Sequence, residues 1–498
     1  MRTLRLSAKT VRHLREALLK DDEQERFAFV YAGDEGDLLA NQVVTVDDEA
    51  MARQSKTACR PAPEIERERL SECYDQQLAP VLAHSHPFSA DPRFSSIDVE
   101  SMGRFREWIT GLFPDQSFGF AVVGTSGIEA VADDETRLEA IDVEVLGEWK
   151  LDRPVTGTHS RFAIDAANAE SPTDGDQRYD RNIRAFGSDG QQRLESTTVG
   201  IVGVGGLGSM VAEQLSRLGV GELVLVDPDE VEESNLSRIT GVFDHHIGEP
   251  KVTALREHLL KSSGGSLSLT TVQERIQNSP SALDECDIVI GCVDSVSARS
   301  FCNEYAIKQL QYYLDAGVRI DTPDRTSTGT SSSGMMGDQG SIESSETAVK
   351  ETAQTDDQTV ELTGYVHLVA PGSNACFDCL GRHDQAAARI EQLSPTERSA
   401  EQERGYIDDD ELAPEPAVVH LNGQCASKTV SVLVDLVTGV HTPPDFIRYE
   451  DHTHEMTELT TAPSEHCPTC GTDGVLGVGQ RSFGDAHFEP AETPAESD

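Results

Sequence analysis

Runs of apolar residues, and apolar positions that alternate with polar ones, divide the chain into two folded stretches. Residues 27–31, 38–46, 118–123 and 141–145 have the pattern of strands, and 11–19 has helical spacing. They predict a small mixed α/β domain over residues 1–150. Residues 151–176 are polar and predict a linker. Beyond them, 199–202 reads as a buried strand and Gly203, Gly205, Gly206 and Gly208 as a turn. Residues 209–218 follow as a helix with Met210, Val211, Leu215 and Leu218 on one face. A second strand, 223–226, ends in Asp227. Residues 327–359, dominated by Ser, Thr, Gly, Asp and Glu, predict a flexible insertion inside a domain over 177–450. Residues 382–414 predict a mobile loop over a site, and 426–437 returns to a helix. Residues 451–484 form a cysteine-bearing segment, and 485–498 an acidic, disordered tail. No internal repeat is present.

The charge changes the picture of the surface. The 498 residues carry 87 acids against 41 bases, a formal net charge of −46. No basic patch stands out, which argues against nucleic acid as a partner. The acidity reads either as a partner-binding surface or as an adaptation to a salt-rich cytoplasm, and the spread of acids along the whole chain favours the second. On the second reading, ions screen the self-repulsion. The melting temperature is then expected to rise between low and molar KCl; a flat or falling curve would contradict it. Residues 1–20 have scattered arginines and no apolar core, and no stretch has the length to span a bilayer. A cytoplasmic location is the expectation.

The glycine turn carries the first candidate chemistry. Glycines let a backbone approach a phosphate closely, and a helix start holds negative charge. Asp227 follows at about the 20-residue distance expected of a ribose-binding acid. The turn is then followed in order by Asp229, Asn235, Arg238, Lys251 and Asp294, with Arg178 and Arg181 upstream. Hydride transfer has no use for such cations. Nucleotidyl transfer does, because charge builds on the phosphates as the bond breaks.

These ordered motifs resemble the ThiF/MoeB/ubiquitin-activating adenylyltransferase family, over roughly 177–320 and again over 362–450. The resemblance implies a Rossmann-like adenylation domain. In it Gly203, Gly205, Gly206 and Gly208 line the phosphates of ATP, and Asp227 and Asp229 serve the nucleotide. Asn235, Arg238 and Lys251 contact the triphosphate, and Asp294 holds Mg²⁺. Arg181 acts as an arginine finger, which this family often donates across a homodimer. The implied substrate is a ubiquitin-like or sulfur-carrier protein with a Gly-Gly C-terminus.

A second cluster stands near the front. His84 and His86, two apart at a strand end, point the same way, and Asp98 supplies a third ligand. Three protein ligands leave a fourth position for water, as in a catalytic zinc. The cluster resembles the JAMM/MPN metallopeptidase motif, with one residue more than usual between His86 and Ser95. The resemblance implies an α/β domain with Ser95 as oxyanion donor. It also implies a general-base glutamate ahead of the first strand: Glu25, or failing that Glu23. A non-catalytic docking module is the alternative for this domain.

Two Cys-x-x-Cys pairs, Cys376/Cys379 and Cys467/Cys470, fit a structural zinc clip between distant segments, the redox reading being the alternative. The family resemblance implies the same Cys₄ zinc. Cys425 reads either as a thiol at a helix start, with a lowered pKa, or as a small buried residue.

Overall fold

Short strands rich in Ala, Val, Leu and Phe close the front of the chain into a barrel, and the back opens into a broad sheet. The computed structural model describes residues 2–20, 22–114, 116–134, 136–155, 177–321, 360–382, 385–403 and 417–480. Residues 156–176 of the expected linker (151–176), the expected insertion over 327–359 and the expected tail over 485–498 lie outside the described residues.

The front unit contains β1 (Thr3–Ser7), β2 (Phe27–Asp34), β3 (Leu38–Thr45), the hairpin β4 (Met51–Gln54) and β5 (Cys59–Pro61), β6 (Ala79–Ser85), β7 (Gly119–Val123), β8 (Ile128–Asp133) and β9 (Leu138–Leu146). Seven of these strands form a closed barrel in the order β1-β3-β2-β6-β7-β8-β9. Leu4, Leu6, Val30, Ala32, Val81, Ala121 and Val143 fill its interior. Helix α1 (Ala8–Leu18) packs on this core through Val11, Leu14 and Leu18. Helices α2 (Pro63–Asp75) and α3 (Ser96–Leu112) cover the opposite face over Phe29, Leu82 and Phe120.

The back unit starts with α4 (Asp180–Ser196) and β10 (Thr198–Val202). It continues through α5 (Gly206–Leu218), β11 (Glu222–Val226), α6 (Lys251–Ser262), β12 (Ser268–Val272), β13 (Ile288–Gly291), α7 (Val296–Gln309), β14 (Tyr312–Asp321) and β15 (Glu361–Val369). It ends with α8 (Gln385–Gln392), α9 (Pro395–Glu403), α10 (Val419–Thr438), β16 (Phe446–Glu450) and β17 (Glu455–Leu459). The sheet order is β12-β11-β10-β13-β14-β15-β16-β17. The strands from β12 to β14 are parallel, and those from β14 to β17 are antiparallel. From β10 the chain runs first to β11 on one side and later to β13 on the other. The strand order therefore reverses at the ends of β10 and β13, where a parallel α/β sheet opens a crevice.

Two expectations need correction. Residues 382–414 are not one loop, because α8 and α9 occupy 385–403. The spacing of Ala388, Ile390 and Leu393 was too sparse to signal helix against so many charges. Helix α10 begins at Val419, several residues before the expected start at 426. Gly423 and Asn422 had masked its first turn.

A short segment ties the units together. Gly477 O accepts from Gly33 N at 3.1 Å, and Gly477 N donates to Ile307 O at 3.1 Å. Asn41 Nδ2 donates to Leu476 O at 2.6 Å, and Gln480 N to Glu35 Oε1 at 2.6 Å. Elsewhere along the seam Ser373 Oγ donates to Leu146 O at 2.9 Å, and Trp149 stacks on Tyr312 with ring centroids 6.0 Å apart. A side chain on Gly33 would press into the backbone of Gly477 and Val478, so the contact needs glycine there.

Candidate functional sites

The larger site lies at the strand-order reversal. Gly203 takes φ +88° directly after β10, and a side chain there would meet the Cys292 carbonyl at 2.8 Å. A methyl group on Gly208 would overlap the Gly203 carbonyl oxygen, so the turn can wrap tightly only with glycine at this position. Gly205 has open space where a side chain would stand. The turn thereby presents bare backbone and the start of α5 to a cleft of about 390 Å³.

Gly203, Gly205, Gly206, Asp227, Asp229, Arg238, Lys251 and Asp294 all line this cleft. Asp227 directly follows β11 and is buried; its carboxylate accepts from Val204 N at 2.8 Å and Asp229 N at 2.9 Å. Burial pushes its pKa up, against the pull of Lys251 and of these backbone donors. Lys251 Nζ sits 2.7 Å from Asp229 and 3.9 Å from Asp227. Arg238 is anchored by Nη1 on Ser234 O at 3.0 Å. Asp294 follows β13 and is exposed to the cleft.

Three expected residues stand elsewhere. Gly208 supports the turn from beneath. Asn235 is buried with Oδ1 accepting from Glu232 N at 3.1 Å, so it shapes the loop that carries Arg238 and does not line the cleft. Arg181 is exposed on α4, outside the lining of its own chain's cleft. Sequence reasoning missed Asn422, Glu391 and Arg398, which also line it. Asn422 was the one legible signal among them: a buried amide near the start of a helix with an otherwise apolar face.

Cys425 lies in the second turn of α10 and is fully buried, with Sγ near Gly317 O and Tyr365 O. Burial pushes its thiol up to about 12. The lowered pKa of a helix-start thiol therefore does not apply, and the buried reading holds.

The front cluster forms where β6 ends. His84 lies on β6 and His86 just beyond it. Asp98 is the third residue of α3, and Ser95 caps that helix. Ser95 N donates to Asp98 Oδ2 at 2.6 Å, while Ser95 Oγ accepts from Asp98 N at 3.2 Å. This box turns the Asp98 carboxylate toward both rings. His84 Nε2 stands 3.4 Å from Asp98 Oδ1, and His86 Nε2 3.5 Å from Asp98 Oδ2. Nitrogen and oxygen ligands about 2.0–2.1 Å from a tetrahedral zinc stand roughly 3.4 Å apart. The three donor atoms therefore fit one zinc ion, and His84 Nε2 is a buried nitrogen without a hydrogen-bond partner. Glu25 is buried with Oε1 3.7 Å from His86 Nε2. Burial pushes its carboxyl up to about 7, with the His86 ring opposing and the Asp98 charge adding. Glu23 instead pairs with Lys56 at the surface.

The four cysteines also converge. Cys376 Sγ lies 3.8 Å from Cys379 Sγ and 3.6 Å from Cys467 Sγ, and Cys379 and Cys470 are 3.3 Å apart. Sulfurs at about 2.3 Å from a tetrahedral zinc stand roughly 3.8 Å from one another, so the group fits a Cys₄ ion closed to water. The second knuckle leads directly into the segment that docks the barrel. Cys467→Ser is expected to cost one zinc per chain and to lower the melting temperature, measured by metal analysis and thermal denaturation. An unchanged zinc content would contradict the clip.

Among the described residues no helix is long and apolar enough to cross a membrane. The model of the ThiF family matches residues 179–470. Molybdopterin-synthase adenylyltransferase of Escherichia coli strain K12 is 38% identical over 130 residues, 25% of this chain and 52% of that protein. Ubiquitin-like modifier-activating enzyme 5 of Caenorhabditis briggsae is 28% identical over 201 residues, 38% of this chain and 37% of that protein. The match thus spans about a third to a half of these curated relatives. Among solved structures, E. coli MccB with ATP aligns with a TM-score of 0.42 and 19% identity, covering 59% of this chain and 74% of that one.

Proposed function

This chain belongs to the ThiF family, and from that premise we propose that it adenylates the C-terminal carboxylate of a ubiquitin-like or sulfur-carrier protein with Mg-ATP. We further propose that its front barrel is a JAMM/MPN-like zinc peptidase acting at the same C-terminus. The observation that carries the first part is the convergence of the glycine turn, Asp227, Arg238, Lys251 and Asp294 on one cleft.

A carboxylate is a poor electrophile until it carries a good leaving group. Its oxygen attacks the α-phosphate of ATP; the new O–P bond forms as the bond to pyrophosphate breaks. Backbone N–H groups of the glycine turn, with Arg238 and Lys251, hold the negative charge that moves onto the phosphates. Asp227 orients the nucleotide beside the turn. Mg²⁺, held by Asp294 when bound, supplies further charge neutralisation. Arg181, exposed on α4, is assigned to the cleft of a second copy in a homodimer.

In the barrel, His84, His86 and Asp98 would hold zinc, which supplies Lewis acidity when bound. Glu25 takes a proton from the attacking water and passes it to the leaving amine. Its buried position, which favours the protonated form, suits a group that must do both. Ser95, held beside Asp98, donates to the carbonyl oxygen. The placing of a buried Glu25 beside His86 supports hydrolysis over a docking role for this unit.

The test is pyrophosphate–ATP exchange with purified chain and small β-grasp proteins ending in a free Gly-Gly. Exchange that depends on such a carrier, with an AMP adduct on the carrier C-terminus by mass, is expected. Exchange with none of them would overturn the assignment.

A further inference from the structure

Helices α8 and α9 form a paired lid on the cleft. Arg389 Nη2 binds both carboxylate oxygens of Glu401 at 3.0 and 2.9 Å, joining the two helices. Ser394 starts α9 with a reciprocal cap: Glu397 N donates to Ser394 Oγ at 3.3 Å, and Ser394 N to Glu397 Oε2 at 2.8 Å.

Glu391 latches this pair to the first turn of α7. Its carboxylate accepts from Ser295 Oγ at 2.7 Å, Val296 N at 2.7 Å and Ser297 N at 2.9 Å. Burial pushes its pKa up, but these donors outweigh it and hold the group charged. Ser295 directly follows Asp294, so the latch stands at the β13 side of the cleft.

The latch brings Arg398 into the cleft lining. Its Nε donates to Leu393 O at 3.0 Å and its Nη2 to Glu391 O at 2.7 Å. Among the described residues, Nη1 has no partner. The guanidinium is thus fixed in place with N–H donors to spare.

The other cations of the cleft have separate duties. Arg238 and Lys251 follow β11 and Arg275 follows β12, all on the far side of β10 from the latch. Arg299 is bound to the buried Asp315 at 2.9 Å. A carboxylate entering on the β13 side meets Asp294 and Glu391, both acids, and needs a cation there to be held.

We propose that Arg398 receives the C-terminal carboxylate of the protein tail that the cleft adenylates, presented by a lid latched through Glu391. This rests on the function proposed above, and it makes Arg398 a tail-binding residue distinct from those that serve the nucleotide.

The test uses a synthetic peptide ending in Gly-Gly, as free acid and as C-terminal amide, with binding to the full chain read by NMR titration. Wild type is expected to bind the acid at least about tenfold more tightly than the amide, as removal of one charged hydrogen-bond partner implies. Arg398→Ala is expected to erase that preference while leaving the affinity for ATP unchanged, and Arg398→Lys to restore part of it. Equal affinity of wild type for acid and amide overturns the proposal, and this comparison needs no variant to fold. A preference that survives Arg398→Ala, or no binding of either peptide at millimolar concentration, also overturns it. Carrier-dependent exchange that persists alongside either result would leave the adenylation reading intact and remove only the role of Arg398.

Discussion

Asp294→Ala is expected to slow carrier adenylation by about 10²–10³-fold, the scale seen when one preorganised charge-stabilising group is removed from a reaction centre. Asp294 follows β13 at the mouth of the cleft, where it is exposed and, among the described residues, forms no hydrogen bond or ion pair. The variant should therefore fold and melt as wild type does. The loss should lie in the rate of pyrophosphate exchange and be only partly recovered by raising the Mg²⁺ concentration. Near-normal exchange by a folded Asp294→Ala chain would remove this residue from the reaction. Lys251→Ala is a useful companion. Its ammonium is shared between Asp229 at 2.7 Å and Asp227 at 3.9 Å, so its loss should raise the KM for ATP as well as lower the rate.

The second large effect is expected in the barrel. Glu25→Gln should cut hydrolysis of a carrier–peptide fusion by about 10²–10⁴-fold, the usual contribution of a positioned general base. Glutamine is nearly isosteric and sits in the same buried pocket, so the zinc content of the front site should not change. His84→Ala should instead lose both the activity and one zinc per chain, leaving the Cys₄ ion in place. If Glu25→Gln retains full hydrolytic activity, or if wild type binds only the Cys₄ zinc, the barrel is not a zinc peptidase. Adenylation should be untouched by either variant, because neither residue lines the nucleotide cleft.

Local chemistry was legible where a short motif dictates its own geometry. The glycines after β10 can be read from sequence because Gly203 needs positive φ and Gly208 must pass against Gly203. His84 and His86 are equally legible, since a two-residue spacing on an extended strand puts both rings on one side. The reach of Asp98 to those rings was legible only as a type and a distance. Its aim depends on the Ser95 cap, whose signal is the Ser95-Ser-Ile-Asp98 spacing at a helix start. Asn235 shows the opposite case. It is the right residue in the right order, yet its amide is spent on the loop backbone. Residues brought in by long-range packing gave little warning. Glu391 and Arg398 sit in a charged stretch that looks like solvent-exposed loop until α8 and α9 fold against α7. The barrel was legible only in part: β1 and β8 went unrecognised, because their five and six residues are short, and β6 was read only at its end around His84 and His86.

The close backbone approach at Gly33 has a consequence for how the chain can be taken apart. Backbone groups of the barrel bond directly to the stretch after Cys470, and the rings of Trp149 and Tyr312 lie face to face across the join. The halves are thus held by their surfaces as well as by the peptide that joins them. A protease nick between Val155 and Gln177 is expected to leave two fragments that co-elute as one species until a chelator or denaturant separates them.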